Sequence, residues 1–263
     1  MNGRLKDSVV LVTGSTTGIG EAIARRFAVE GARVMIHGLL EHEAKEVVGA
    51  IMEAGGEAAY TIQDLANPES CPRLVDEVVT RFGRLDILVN NAAVITRSNL
   101  ASTTAAVFDQ TLAVNVRAPM LLIQAAHEHL RQTRGAILNI GSVNGYCGEI
   151  NQLAYAISKG ALMTLSRNLA DALAPEGIRV NHFNLGWVLT RNEYALKRSE
   201  GLPEDWPQRL PKNSAPSGRL ITPEEVANYA LAFVEPGGGP ISGAVVELEQ
   251  YPMIGRNPPK EIG

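Results

Sequence analysis

Two side chains of this sequence could pass a proton between them and a bound molecule. Tyr155-Ala156-Ile157-Ser158-Lys159 sets a phenol and an ammonium four positions apart, on one face of any helix that carries them. A free tyrosine has a pKa near ~10 and is a poor base at neutral pH. A neighbouring cation stabilises the phenolate and draws that value towards the working range, so that one phenol can both accept and donate a proton. Chance puts the same spacing on many exposed helix faces, so the pair needs companions. Ser142 stands thirteen positions before Tyr155, just past the apolar run Ala136-Ile137-Leu138-Asn139-Ile140. Its hydroxyl could orient a reacting oxygen and share its developing charge; alone, it reads as a turn serine.

A second chemical signal lies near the N-terminus. Val9-Val10-Leu11-Val12 leads into Thr13-Gly14-Ser15-Thr16-Thr17-Gly18-Ile19-Gly20, and a helical pattern follows. Glycines there let the backbone turn tightly and approach a pyrophosphate, while the helix start aims N–H groups at it. Three glycines in a loop mean little by themselves. Between the first strand and the first helix they mean more.

The elements that must position these residues alternate along the chain. Strands are expected at Val9 to Val12, Arg33 to His37, Ala58 to Ile62, Asp86 to Val89, Ala136 to Ile140, Arg179 to Phe183 and Ala244 to Leu248. Helices are expected at Glu21 to Glu30, Glu41 to Ala54, Pro68 to Phe82, Ser102 to Arg131 with a break at Pro119, Leu153 to Leu173 and Pro223 to Val234. This alternation implies an α/β fold, a doubly wound Rossmann-type parallel sheet with helices on both faces. No linker divides the chain, so residues 1–263 are expected to form a single domain. Residues 192–219 contain Pro203, Pro207, Pro211 and Pro216 with little apolar periodicity. Such a segment within a compact domain is expected to be a functional lid.

The spacing T-G-x-x-x-G-x-G resembles the short-chain dehydrogenase/reductase family, and the likeness runs over nearly the whole chain. Asp64-Leu65 is similar to the family's adenine-contacting pair. Asn90-Asn91-Ala92-Ala93 resembles its N-N-A-G turn, with Ala93 in place of glycine, which requires a backbone φ that alanine tolerates. Asn115, in Leu112-Ala113-Val114-Asn115-Val116, matches the helix-disrupting asparagine that holds a relay water. Ser142, Tyr155 and Lys159 match the other catalytic positions. Asn181-His182-Phe183-Asn184-Leu185-Gly186-Trp187-Val188-Leu189-Thr190 resembles the N-x-x-x-P-G-x-x-x-T turn, with Leu185 for the proline. Losing that proline loosens the turn's preset φ.

The resemblance implies a nicotinamide-dependent oxidoreductase that moves a hydride between its cofactor and a secondary alcohol or ketone. Asn115, Ser142, Tyr155 and Lys159 would be catalytic. Gly14, Ser15, Thr17, Gly18, Ile19 and Gly20 would hold the pyrophosphate end, and His37, Gly38, Asp64 and Leu65 the adenosine. Asn91, Ala92, Ala93, Tyr155, Lys159, Gly186, Val188 and Thr190 would line the nicotinamide end. In the family an acid at the end of the second strand selects NAD, and basic residues nearby select NADP. Here His37-Gly38-Leu39-Leu40 and Thr17 offer neither. With no arginine or lysine to meet a 2′-phosphate, the expectation tilts to NAD, although His37 could serve NADP.

Ser142, Asn144, Glu149, Gln152, Tyr155 and Trp187 are the candidate substrate contacts. Their hydrogen-bonding character suits a small polar substrate, such as a sugar, polyol or hydroxy acid. Ketoacyl reduction on an acyl carrier is an alternative, for which Arg131 and Arg134 would be the docking cations. A non-catalytic cofactor sensor is another, but its mark would be a damaged tetrad, and all four residues are present. The usual D-G-G ending is replaced by Glu247-Leu248-Glu249-Gln250-Tyr251-Pro252, expected to reshape the pocket edge or a subunit contact.

Bulk properties narrow the rest. A formal net charge of −4 gives no basic footprint for nucleic acid and none for a membrane surface. Cys71 and Cys147 form no C-x-x-C pair, which argues against a disulfide framework or a zinc site; no metal is expected. No apolar run is long enough for a signal-peptide core or a membrane span, so a cytoplasmic protein is expected. The resemblance further implies a homotetramer or homodimer paired through the helices at Ser102 to Arg131 and Leu153 to Leu173.

Overall fold

The computed structural model describes residues 3–252. Seven strands, Val9–Val12 (β1), Arg33–Gly38 (β2), Glu57–Ile62 (β3), Ile87–Asn90 (β4), Ala136–Ser142 (β5), Arg179–Leu185 (β6) and Val245–Leu248 (β7), form one parallel sheet in the order β3-β2-β1-β4-β5-β6-β7. After β1 the chain steps outward to β2 and β3, then returns to β4 on the other side of β1. The loops leaving β1 and β4 therefore diverge, and a crevice opens at the carboxyl ends of these strands, where such sheets bind ligands.

The helices are Gly18–Val29 (α1), Glu41–Glu53 (α2), Ser70–Phe82 (α3), Ala105–Leu112 (α4), Ala118–Thr133 (α5), Asn144–Cys147 (α6), Leu153–Leu173 (α7), Arg191–Ser199 (α8) and Pro223–Val234 (α9). Alternate residues of each strand point to opposite faces, and both faces are buried. Val10 and Val12 pack with Ile23, Phe27, Val47, Ile51, Val226 and Leu231 from α1, α2 and α9. Val9 and Leu11 pack with Leu74, Val78, Leu122, Ala126 and Ala170 from α3, α5 and α7. This double burial explains why the strands read as unbroken apolar runs rather than alternating ones.

Two departures from the expected elements matter for the site. The long pattern around Ser102 to Arg131 breaks before Pro119, at a π-helical turn over Ala113–Arg117. Pro119 lies in the first turn of α5, directly after the π turn, and its missing N–H removes a bond back into that turn. Strand β6 runs on to Leu185, whose carbonyl accepts from the Val143 N–H at 3.0 Å. A proline at 185 would preset φ there; leucine lets the ladder with β7 continue to the Leu185–Leu248 pair.

Residues 191–220 do not lie bare. Trp206 is buried, stacks against Trp187 and Tyr194 with ring centroids 5.6 and 6.3 Å away, and packs with Ala215 and Leu220. The prolines break helical periodicity, but the aromatic stack supplies a small core of its own. Among the described residues, no helix is long and apolar enough to cross a membrane.

Candidate active site

Helix α7 delivers the phenol and the ammonium together. Its buried stripe runs Tyr155, Lys159, Leu162, Ser166, Ala170 and Leu173, and it packs on β5 and β6. Lys159 is 2% exposed, and its Nζ lies 5.5 Å from the centre of the Tyr155 ring. Ser142, at the end of β5, hydrogen-bonds the Tyr155 hydroxyl, and its Oγ also accepts from the Asn144 N–H at 3.2 Å. The serine, tyrosine and lysine expected from the sequence thus share one buried cleft.

The electrostatics depart from the expectation. Lys159 was expected to draw the phenol downward. Burial instead pushes Tyr155 up to about 12, against a smaller lowering by the Ser142 hydrogen bond. The ammonium is held by the backbone: Nζ donates to the Ile140 carbonyl at 2.7 Å. Burial in turn pushes Lys159 down to about 8. Desolvation disfavours whichever form is charged, and it dominates both shifts. The proton therefore rests on the phenol.

Asn115 sits in the π turn, the disruption of helix that the sequence match implied. Its Oδ1 accepts from the Val94 N–H at 2.8 Å, and its Nδ2 donates to the Val94 carbonyl and to Ser158 Oγ, both at 3.0 Å. It ties the loop after β4 to α7, one residue from Lys159.

The glycine-rich turn fits a pyrophosphate. Gly14 and Gly18 take φ of +61° and +60°, a region that side chains rarely adopt. A Cβ on Gly20 would meet the Gly14 carbonyl oxygen at 2.3 Å and Asn91 Nδ2 at 2.5 Å, so turn and helix touch only because the residue is glycine. Thr17 begins α1 without a side-chain cap, so no hydroxyl claims the N–H groups of Gly18, Ile19 and Gly20, which an anion could use. Asp64 Oδ1 accepts from the Ala66 N–H at 2.9 Å, beside buried Leu65.

Four expected cofactor contacts prove to be braces. Ser15 is fully buried; its Oγ donates to the Val12 carbonyl at 2.7 Å and accepts from the His37 N–H at 3.0 Å. His37 is also buried, with Nδ1 accepting from the Gly14 N–H and Nε2 at 3.0 Å from the Gln63 carbonyl. Burial pushes it down to about 4, so it is neutral, and both its nitrogens are engaged within the fold. Asn91 Nδ2 donates to the Thr13 and Gly14 carbonyls, both at 2.9 Å. Gly186 gives its N–H to the Leu248 carbonyl at 2.9 Å, which leaves it none for a carboxamide. Ala92 packs against Gly14, while Ala93 is exposed and keeps a negative φ, as its alanine required.

Of the candidate substrate contacts, Asn144 and Gln152 join through Asn144 Nδ2 and Gln152 Oε1 at 3.3 Å. Glu149 is exposed and gives only its backbone carbonyl to the Gln152 N–H, so the structure does not bring its carboxylate to the serine. Trp187 turns its indole N–H to Glu193 Oε1 at 2.9 Å. Val188 bridges to Ile221, and Thr190 caps α8 through the Glu193 N–H. The Thr190 methyl lies 3.4 Å from where a Gly18 Cβ would stand. The altered C-terminal segment has a structural role: Glu249 fills the space over Gly186, where a Cβ would meet Oε2 at 2.0 Å, and Gln250 bonds Ser217 and Arg219.

The sequence reading missed a buried polar row behind the site. Asn90, Asn139 and His182 stand opposite one another on β4, β5 and β6. Asn90 Nδ2 donates to Asn139 Oδ1, Asn139 Nδ2 to Ser166 Oγ, and His182 Nδ1 lies 2.9 Å from that same oxygen. Polar residues inside otherwise apolar strands were the available signal. The row fixes the register of the strand that ends at Ser142.

A family model described as enoyl-(acyl carrier protein) reductase matches residues 14–249. An uncharacterized oxidoreductase of Thermotoga maritima is 38% identical over 242 residues, covering 92% of this chain and 95% of that protein. A 3-oxoacyl-(acyl-carrier-protein) reductase of Aquifex aeolicus is 34% identical over 251 residues, covering 94% and 98%. Among solved structures, L-sorbose reductase of Gluconobacter frateurii, complexed with NADPH and L-sorbose, superposes with a TM-score of 0.88 at 28% identity, covering 95% of this chain and 97% of that one.

Proposed function

This chain belongs to the short-chain dehydrogenase/reductase family and is a nicotinamide-dependent oxidoreductase acting on CH–OH groups, and we propose that its substrate is a small polar alcohol or ketone of the sugar, polyol or hydroxy-acid kind. The observation that carries this reading is the buried Ser142–Tyr155–Lys159 cluster, bordered by the Asn144 and Gln152 amides. Amides at the rim can bind substrate hydroxyls, which an apolar rim would reject. The likeness to an L-sorbose reductase supports a polyhydroxylated substrate.

A bound nicotinamide supplies or takes the hydride. In reduction, Tyr155 donates its phenol proton to the substrate oxygen while Ser142 donates a hydrogen bond to it. In oxidation Tyr155 takes the proton back. Lys159 keeps a cation beside the ring and would hold ribose hydroxyls. Asn115 fixes the loop after β4 and joins the lysine's helix to it.

Residues 192–219 act as a lid. Asn192 Nδ2 reaches Thr17 Oγ1 at 3.3 Å at its start, and Glu200, just past α8, pairs with Arg97 of the post-β4 loop at 2.7 Å. The segment thus bridges both sides of the crevice. Between the dinucleotides, the lack of a cation at Thr17 and Gly38 favours NAD. Exposed Met120 on α5 and Ile157 on α7 suit pairing between copies, as a homodimer or homotetramer.

Ketoacyl reduction is the second reading, favoured by the Aquifex relative. Its docking cations are weak here, because Arg131 is paired with Glu128 at 2.7 Å. Absorbance of the reduced nicotinamide, followed with a panel of sugars, polyols, hydroxy acids and a short β-ketoacyl thioester, tests both readings. Tyr155→Phe should cut turnover by about 10²–10⁴ and leave dinucleotide binding intact. Undiminished turnover would refute the assignment.

A further inference from the structure

We propose that Glu43, on helix α2, is the residue that selects NAD over NADP in this chain, in place of the missing acid at the end of β2. The inference rests on the dinucleotide reading of the glycine-rich turn. The sequence leaves position 38 without a side chain, and the structure shows why. A Cβ on Gly38 would meet Thr16 Cγ2 at 2.3 Å and Thr16 Oγ1 at 3.0 Å. Thr16 occupies the space that a strand-end acid would enter.

Thr16 also brings a carboxylate there from elsewhere: its hydroxyl donates to Glu43 Oε2 at 2.9 Å. Glu43 is the third residue of α2. A glutamate at that position commonly folds back onto the start of its own helix. Here the start, Leu40, receives no such bond, and the carboxylate is turned to the cofactor turn instead. Its other oxygen, Oε1, has no partner among the described residues. The one lysine of α2, Lys45, is paired with Glu41 at 2.9 Å, so it does not neutralise Glu43.

A half-buried carboxylate beside Thr16 and Gly38 faces the corner where the adenosine ribose of a dinucleotide would lie. A ribose 2′-hydroxyl can donate to Oε1, a charge-assisted bond. A 2′-phosphate brings like charge to the same oxygen, and Thr16, Thr17, Gly38, Leu39 and Leu40 offer it no cation.

Calorimetric titration of the wild type with NAD⁺ and with NADP⁺ at fixed, low salt tests this without any substrate. NAD⁺ should bind at least about tenfold more tightly. Glu43→Gln, of equal shape, should shrink that preference several-fold, chiefly by improving NADP⁺. Glu43→Lys should shrink it further or reverse it. Equal or tighter binding of NADP⁺ by the wild type would overturn the proposal. So would variants that shift both affinities alike, the mark of a merely structural Glu43. Binding of neither dinucleotide would overturn the cofactor reading as well, and so is distinguishable from a failure of Glu43 alone.

Discussion

Replacing Lys159 with methionine should make this protein more stable and far less active. The ammonium is 2% exposed, donates one hydrogen bond, to the Ile140 carbonyl, and has no carboxylate partner among the described residues. Burial alone moves its pKa from 10.5 to about 8. At about 1.4 kcal/mol for each factor of ten, keeping the charge in the fold costs ~3 kcal/mol. Methionine keeps the chain length but leaves the Ile140 carbonyl unpaired, a loss of ~1 kcal/mol. The net gain, ~2 kcal/mol, corresponds to a rise in Tm of roughly 4–8 °C for a domain of this size. The sign has a pH signature. Below pH 8 the lysine is charged in both folded and unfolded chains, and the full cost is present. Between pH 8 and 10.5 the unfolded chain binds more protons, so wild-type stability rises with pH; above 10.5 the cost is gone. Thermal unfolding of both proteins from pH 7 to 10.5, at constant ionic strength, should show the gap narrowing as pH rises. Turnover at pH 7 should fall by at least about 10². A variant less stable than wild type at pH 7, or a gap indifferent to pH, would refute the reasoning.

Other expectations follow from the same geometry. Gly20→Ala drives a methyl into the Gly14 carbonyl and Asn91, so dinucleotide Kd, measured by calorimetry, should weaken at least about tenfold; unchanged binding would remove the turn from the site. Because Tyr155 is pushed up to about 12, phenolate is scarce at neutral pH. Initial rates of alcohol oxidation should therefore still be climbing at pH 8 while ketone reduction is flat, and a flat oxidation profile would contradict the burial argument. Trp206→Ala removes the centre of the aromatic stack over residues 187–220. Limited proteolysis should then cut within 192–219 faster than in the wild type, and KM should rise more than kcat falls; equal resistance would mean the stack does not hold the segment.

The sheet was legible because its central strands are buried on both faces and strands alternate with helical patterns, and strand boundaries moved by only a few residues. The segment with Trp206 was not. Trp187, Tyr194 and Trp206 belong to no single helix or strand, and only the fold stacks them. The π turn at Asn115 was likewise visible as a family match but not as a periodicity. Ser15 and His37 show a different limit. Position along the chain placed them at the cofactor end, but which way a side chain turns depends on partners far off in sequence, such as the Gln63 carbonyl for His37. Thr16 and Glu43 were invisible for the same reason, since twenty-seven positions separate two residues that share one hydrogen bond.

The catalytic pair marks the limit most clearly. A spacing of four fixes a common helix face, and α7 does place both residues on its buried stripe. A shared face is not a shared point, however. The ammonium lies over the ring and is spent on the Ile140 carbonyl, while the hydroxyl meets Ser142. The same burial that excludes water from the site lifts the phenol to about 12 and lowers the ammonium to about 8, so each group is pushed towards its neutral form. Reduction can then begin from the protonation state already in place, with Tyr155 as the acid. Oxidation must first strip that proton against the desolvation, and the rise of its rate with pH is the direct measure of how much the burial opposes it.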